Sequence, residues 1–388
     1  MSFSHSFHSN ISSIGKARWQ ACFSGSQPFL RFDLLALLED SDCLGAEAGW
    51  QVCHLLVEDQ TEHPEAQTVA CIPLYIKSHS YGEYLFDWSW ADAYEQHGIA
   101  YYPKIVSAVP FTPVTGQRIG IAAEYLERQQ EIYTYVSALI SALAKQTKAQ
   151  TAQLLFLSES EKHQLTDLKW LPRSDVQYHW FNRDYQTFDD FLAALNARKR
   201  KSIAKERNAV ASHQITIKVV EASEVTPQQW QAFYHCYRAT YAKRSGHGGY
   251  LSEEFFHGLS QAVSTQCFLV LAESDENIVA GSLFFADDKQ LYGRYWGALA
   301  DFSFLHFELC YYQGIELCLA KGLQQFNAGA QGQHKIKRGF EPVYVHGSYQ
   351  IFHPSFRAAI DDFLGQESVH NKAHFDAAMN ALPYRKEG

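Results

Sequence analysis

Much of what would assign a function directly is missing from this chain. It has no CxxC pair, and its eight cysteines are scattered, mostly through apolar stretches. That distribution argues against a disulfide scaffold or a thiolate zinc site and suits reduced core cysteines in a cytoplasmic protein. No GxSxG, HExxH or Walker A segment occurs, so serine-hydrolase, zinc-protease and P-loop chemistries have no support. The histidines show no paired spacing beside a third ligand; His79, His97 and His353 read as surface or satisfied residues, and no metal is expected. The first residues carry no apolar core of the signal-peptide type, and no run of about 18 apolar residues offers a membrane span. A surplus of positive charge is also absent. The formal net charge is −9, so any nucleic-acid contact needs a local basic patch.

What is present is globular in character. Of 388 residues, 46% are hydrophobic, 19% charged and 14% aromatic, the last a level that serves pockets and grooves as well as a core. The length is that of two domains. Residues 1–182 and 183–388 each read as strands in series, a long helix, then another strand. The expected fold is therefore α/β, two copies of one unit with mixed sheets. Long helices are expected over 122–145, 188–211 and 303–321.

Residues 291–342 are the stretch around which the rest is organised. A strand over 291–298 carries Arg294, Tyr295 and Trp296. A helix follows, with Gly322 as its stop, and then a short strand ending at Phe326. A polar loop through Gln331, His334 and Lys335 closes on Gly339-Phe340. At about 100° per residue, Leu305, Leu309, Tyr312, Ile315 and Leu319 share one helix face, and Glu308 falls in the same arc. A carboxylate there is costly to bury unpaired, and burial raises its pKa, which makes Glu308 a general-base candidate. The plainer alternative is a structural Glu bonded to Tyr or Arg. His306 lies away from that arc.

Three further features bear on ligands. On the helix around 196–207, Leu192, Leu195, Ile203 and Val210 form a buried stripe, while Arg198, Lys201 and Lys205 project from roughly the opposite face, to grip phosphates or simply to be solvated. In the loop at 334–340, His334, Lys335, Lys337 and Arg338 stand beside glycine after a strand, where cations and backbone amides can meet a phosphate or a developing oxyanion. Finally, Gln117-Arg118-Ile119-Gly120-Ile121-Ala122 lies between a strand and a long helix. It fits the Gln/Arg-x-x-Gly-x-Gly/Ala loop with which acetyltransferases of the GNAT superfamily hold coenzyme A. Gln117, Arg118, Gly120 and Ala122 are thus the expected contacts of an acyl-CoA donor.

Several segments together carry a resemblance: Pro28-Phe29-Leu30, Gly49-Trp50, Pro73-Leu74-Tyr75-Ile76-Lys77, the run 82–88, Tyr101-Tyr102-Pro103-Lys104, the run 110–116 with Arg118, the basic helix 198–207, 292–297 and 329–342. Over almost its whole length the chain resembles a bacterial family of FemAB-like predicted N-acyltransferases. The resemblance implies the FemABX class, built from two tandem GNAT-like domains. Its better-known members move an aminoacyl group from a charged tRNA to an amine of a peptidoglycan precursor. Lys337-Arg338-Gly339-Phe340 is similar to the Phe-Lys-x-Gly-Phe segment of that class, whose lysine contacts substrate phosphate or the reacting carbonyl; here Ile336 stands where phenylalanine would precede. The long helical hairpin of some members has no evident counterpart.

The expected activity is N-acyl transfer from acyl-CoA or aminoacyl-tRNA to a small-molecule or peptide amine, such as a peptidoglycan precursor. Glu308 or His306 would take the amine proton. Lys335, Lys337 or Arg338 would stabilise the oxyanion or hold donor phosphates, with Lys337 expected to be essential. Arg294, Tyr295, Trp296, Gln331 and His334 would contact substrate, with Tyr102 and Thr112 opposite and Arg198 and Lys201 on phosphates. The competing expectation is a non-catalytic module that recognises a cell-wall peptide or nucleotide sugar.

Overall fold

In each half of the chain the same pattern produces one parallel strand pair bridged by a helix. The computed structural model describes residues 3–25, 27–60, 66–330 and 332–385. Its contacts divide into two compact units. The first comprises 29–176 and 344–373 with the N-terminal segment; the second comprises 177–343 with the C-terminal segment from His374. The sequence pattern places one boundary at 182/183, whereas the units exchange chain at 176/177, 343/344 and 373/374. Most of the strand Glu341–Ile351 and of the 27-residue helix Pro354–Asn380 belongs with the first unit.

In the first unit, Thr151–Leu157 pairs antiparallel with Glu341–Ile351 on one side and parallel with Lys104–Ser107 on the other. Tyr75–Lys77 and Trp50–Val52 continue the sheet in antiparallel sense. A parallel step needs a crossover. The helix Gln129–Thr147 supplies it, burying Ile132, Val136, Ile140 and Leu143 at helical spacing. Leu55, Val57, Val69 and Ile72 from a separate four-stranded antiparallel sheet enter the same core.

In the second unit, Thr216–Glu221, Cys267–Ser274, Asn277–Ala286 and Gln290–Ala298 form an antiparallel series. Asp275 and Glu276 both take positive φ, 48° and 65°, which is the tight two-residue turn that matches strand twist. The parallel step then joins Gln290–Ala298 to Gln325–Asn327. The bridging helix runs through 305–320, but it is not regular: Glu308–Tyr312 is a π turn between α segments. The helix expected over 188–211 is also divided, into Phe188–Ala194 and Ala197–Ala211. Leu195 is extended, and the Asn196 side chain accepts from Lys199 N at 3.1 Å, a favoured helix start.

One contact sets where the helix Pro227–Ser245 lies on its sheet. A Cβ at Gly297 would sit 2.1 Å from the Cys236 carbonyl carbon, so only glycine lets the helix backbone come this close. Thr240 Oγ1 accepts from Ala298 N at 2.9 Å and fixes the register. Gly297→Ala is expected to destabilise the protein by about 1–3 kcal/mol through forced backbone separation. Gly365→Ala, in open space within the long C-terminal helix, should stabilise it by roughly 0.5–1 kcal/mol. Urea unfolding of the two variants checks the opposite signs.

Candidate functional site

The two parallel strands of the second unit stay paired only over Gln290↔Gln325, Leu291↔Phe326 and Tyr292↔Asn327. Beyond Tyr292 the first strand runs on to Ala298, with an irregular register against Leu283/Phe284 that marks a bulge. The other strand ends at Asn327. A cavity of about 110 Å³ opens in this divergence, lined among others by Arg294, Tyr295, Trp296, His306, Cys310 and Tyr311. The π turn contributes Cys310 and Tyr311; such turns re-aim side chains that a regular helix would place elsewhere.

The lining is aromatic with one cation, Arg294. Arg294 Nη1 donates to Gly293 O at 2.9 Å and to Asn327 Oδ1 at 3.2 Å. Trp296 and His306 meet edge to face at 5.2 Å, and the Tyr295 ring packs against Tyr237 and Phe256. Burial, reinforced by the charges of Arg244, His334, Lys335 and Arg338, drives the His306 pKa down to about 3, so the ring is neutral at pH 7. Lys335 is 1% exposed, and its Nζ donates to Gly329 O at 2.7 Å. Burial first, and the positive charge of Arg294 second, bring its pKa down to about 7. A cation buried without a carboxylate gives up its proton readily. His334 is exposed, and its Nε2 meets the Tyr311 hydroxyl at 2.8 Å.

Two ion pairs hold this arrangement. Arg338 Nε donates to the Tyr312 hydroxyl at 2.9 Å, Nη1 to His334 O at 3.0 Å and Nη2 to Glu206 at 2.8 Å, while the guanidinium lies 3.5 Å over the Phe307 ring. Tyr312 in turn donates to Glu206. One residue further along the basic helix, Arg207 grips both oxygens of Glu308, at 3.0 and 3.1 Å. The turn Gln333–Arg338 ends at Gly339, whose φ of +84° and close approach to Phe191 demand glycine.

The residues singled out in the sequence divide accordingly. Glu308 is not a free base: Arg207 and Gln313 occupy its carboxylate, the structural alternative. Lys337 is exposed, and the inward lysine of the turn is Lys335. Residues three apart share a face of a 3₁₀ turn, so Lys335 and Arg338 point in together while Lys337 points out. Arg338 serves as the clasp. Arg198 and Lys201 are exposed. The Lys199 pKa is lowered by partial burial and then by the nearby charges of Arg198, Lys337 and the buried Arg338. Gln331 lies outside the described residues. Tyr102 and Thr112 belong to the first unit, Tyr102 in a groove and Thr112 buried.

The segment 117–122 is not a phosphate cradle. Arg118 N and Ile119 N both donate to Glu161 Oε1, at 2.8 and 2.9 Å, and Ala122 N donates to Val69 O at 2.9 Å. Arg118 is fully buried; it donates to Leu155 O and Val114 O and fills the first unit's own strand divergence. Gln117 turns onto Ile119 O, and Gly120 sits in a strand against Cys22 and Phe23. A separate cavity of about 440 Å³ is lined by Thr240, Lys243, Arg244, Asp301, Phe302 and His306 among others, with Lys243 Nζ donating to Asp301 Oδ2 at 2.7 Å. Lys243 and Arg244 are residues the sequence reading passed over; their position at the end of a helix laid on Gly297 was the available signal.

Comparisons with known proteins agree with this architecture. The family model for FemAB-like proteins of peptidoglycan biosynthesis/recognition matches residues 10–386. FemX is similar in structure, with 10% identity and a TM-score of 0.52, over 93% of this chain and 100% of that one. The C-terminal domain of an Agrobacterium fabrum protein named for lysylphosphatidylglycerol synthesis gives 10% identity and a TM-score of 0.51, over 92% of this chain and 97% of that one. A tandem GNAT protein from clavulanic acid biosynthesis gives 8% identity and a TM-score of 0.47, over 90% and 98%. No curated protein matches the chain. The fold is α/β, two tandem GNAT-like units with mixed sheets. No helix among the described residues is long and apolar enough to cross a membrane.

The Lys335 pKa is directly observable. In protein carrying ¹³Cε-lysine, a lysine signal should titrate near the value of about 7 and vanish in Lys335→Met. The folded pKa lies below the ordinary 10.5, so the folded state carries the cost of protonated Lys335 below pH about 7 and sheds it as pH rises toward 10.5. Lys335→Met should therefore gain more stability at about pH 6 than at about pH 9.

Proposed function

The chain belongs to the FemAB-like family, and from that premise we propose that it is an N-acyltransferase that moves an aminoacyl group from aminoacyl-tRNA to an amine, such as one on a peptidoglycan precursor. The observation that carries this reading is the divergence cavity, lined by Arg294 and Cys310, with the buried Lys335 close enough to feel the charge of Arg294. The acceptor amine attacks the donor's ester carbonyl. A C–N bond forms, the carbonyl oxygen becomes an oxyanion, and the ester C–O bond then breaks. Lys335, half neutral near pH 7, takes the proton from the attacking nitrogen and returns it to the leaving ribose oxygen. Arg294, charged throughout, faces the oxyanion. His306 is too weak a base for that proton at a pKa of about 3 and acts instead as a neutral wall with Trp296.

Phosphate contacts favour a polyanionic donor. Arg244 and the Asp301-paired Lys243 line one cavity, and exposed Arg198 and Lys337 lie near the half-buried Lys199, with exposed Lys201 one turn along the helix from Arg198, on a chain of net charge −9. For an acyl-CoA donor the Lys243–Arg244 cavity is the better candidate, since the amides of Arg118, Ile119 and Ala122 are taken within the protein. One observation favours the recognition-only reading: Glu308 and His306, the two bases expected by residue type, are respectively ion-paired and held neutral.

Wild-type transfer, followed with radiolabelled aminoacyl-tRNA and, in parallel, acyl-CoA, should rise with pH through about 7, because the neutral amine is the active form. Lys335→Met should lower kcat/KM by about 10²–10⁴ without lowering stability. Lys201→Ala with Lys337→Ala should mainly weaken donor binding and flatten its salt dependence by about two charges. Wild-type turnover in Lys335→Met would remove the cavity from the mechanism. Saturable ligand binding with no transfer from either donor would leave the recognition module.

A further inference from the structure

We propose that the first unit carries a separate binding site for an organic ammonium group. It lies in a groove of about 380 Å³ between the helix Trp88–Gln96 and residues 98–102. That volume is in the range of small-ligand sites, about 300–1,000 Å³. Its walls include Ala91, Ile99, Tyr101 and Tyr102, and Glu95 is the one charged residue among them. Trp88, Asp92 and Glu95 follow one another at i, i+4 and i+7 and so share a helix face with Ala91. Glu95 and Asp92 are exposed, and neither has an ion-pair partner among the described residues. Outside the groove's lining, at the start of the same helix, Tyr81 and Trp88, 53% and 37% exposed, stand 5.0 Å apart with their planes inclined at 60°, and Phe86 stacks on Trp88 at 6.3 Å; these rings extend the aromatic surface from the groove's end.

The rings are not loosely displayed. Tyr102 OH shares a hydrogen bond with Ser80 Oγ at 2.8 Å, and Lys104 Nζ donates to the same Ser80 Oγ at 2.7 Å. Lys104 also donates to Glu83 at 2.7 Å and Asp87 at 2.6 Å, and Lys77 donates to Tyr81 O at 3.2 Å. Ser80 and Asp87 immediately precede Tyr81 and Trp88 in the chain, so the buried charges fix the backbone that presents these two rings. The cations stay beneath: Lys77 and Lys104 have no exposed surface. Arg173, which reaches Phe86 O, is held bidentate by Glu367. The face offered to a ligand therefore consists of aromatic π surfaces and carboxylates. That combination attracts an ammonium group and repels an anion. A neutral ring could stack there but would leave the two carboxylates without a role.

The test needs no turnover and so stands apart from the transfer reaction. Full-length protein is titrated with choline and, separately, with 3,3-dimethylbutan-1-ol, its uncharged isostere, by calorimetry and tryptophan fluorescence. Choline should saturate and bind at least about tenfold more tightly than the alcohol. Glu95→Gln, Trp88→Leu and the more exposed Tyr81→Leu should each weaken choline by about threefold to tenfold, with circular dichroism unchanged. Glu95→Gln should leave the alcohol unaffected. Equal affinity for the two probes, no choline saturation below about 100 mM, or wild-type choline binding by folded variants would overturn the proposal.

Discussion

The guanidinium of Arg338 is the point on which the second unit's site depends. It is nearly buried, its donors reach Glu206, Tyr312 and the His334 carbonyl, and it lies flat on Phe307. Beside it, Arg207 locks Glu308. Buried ion pairs give little net stability, because desolvating both partners costs about as much as their attraction returns; removing one partner alone costs about 3–5 kcal/mol. What they supply here is register. They tie the basic helix, the π turn and the turn Gln333–Arg338 into one arrangement in which Lys335, three residues before Arg338, faces inward. The cavity's walls are thus held in place by paired charges on three elements.

The two units put the same topology to different uses. Each has one parallel strand pair whose strands part beyond a short ladder, and each has an arginine at the parting. In the first unit Arg118 gives its donors to carbonyls of its own surroundings, and Glu161 takes the neighbouring amides, so the gap is shut. In the second, Arg294 donates to Gly293 O and Asn327 O, and space remains beside it. An arginine that is fully satisfied by backbone is a plug. One that lines a cavity can meet a developing negative charge.

What could be read from the sequence follows from the range of the interactions involved. Strand periodicity, stop glycines and the repeated strand–helix–strand order depend on neighbours in the chain, and they yielded two α/β units with mixed sheets. The sequence leaves Glu308 open between base and structural carboxylate because its partner, Arg207, lies 101 residues away, and no local pattern announces that contact. Projecting at a constant helical angle also fails at the π turn, which moves Cys310 and Tyr311 to the cavity. Lys337 was preferred to Lys335 by motif similarity, while the threefold repeat of a short 3₁₀ turn would have paired Lys335 with Arg338. The segment 117–122 matches a short, degenerate pattern, and what weighs against it is non-local: Glu161 and Val69 take its amides and Arg118 is buried. The strand Glu341–Ile351 and the helix Pro354–Asn380 carry ordinary signals that were not followed past the glycine loop.

The clearest physical lesson comes from comparing two buried lysines. Against the pull of burial, Asp87 and Glu83 hold Lys104 above the ordinary lysine range. It stays charged, and its role is to fix a loop. Lys335 is buried just as deeply, but its Nζ meets a backbone carbonyl, and the nearby charge is the like charge of Arg294. With no carboxylate among the described residues paired to it, burial outweighs the small opposing effect of Cys310, and its pKa falls to about 7. The residue type is the same in both cases, and the partner decides whether the amine is scaffold or reagent. A lysine buried without a carboxylate carries a cost that a purely structural site would avoid by using an apolar residue, so its presence beside an open cavity argues for chemistry there.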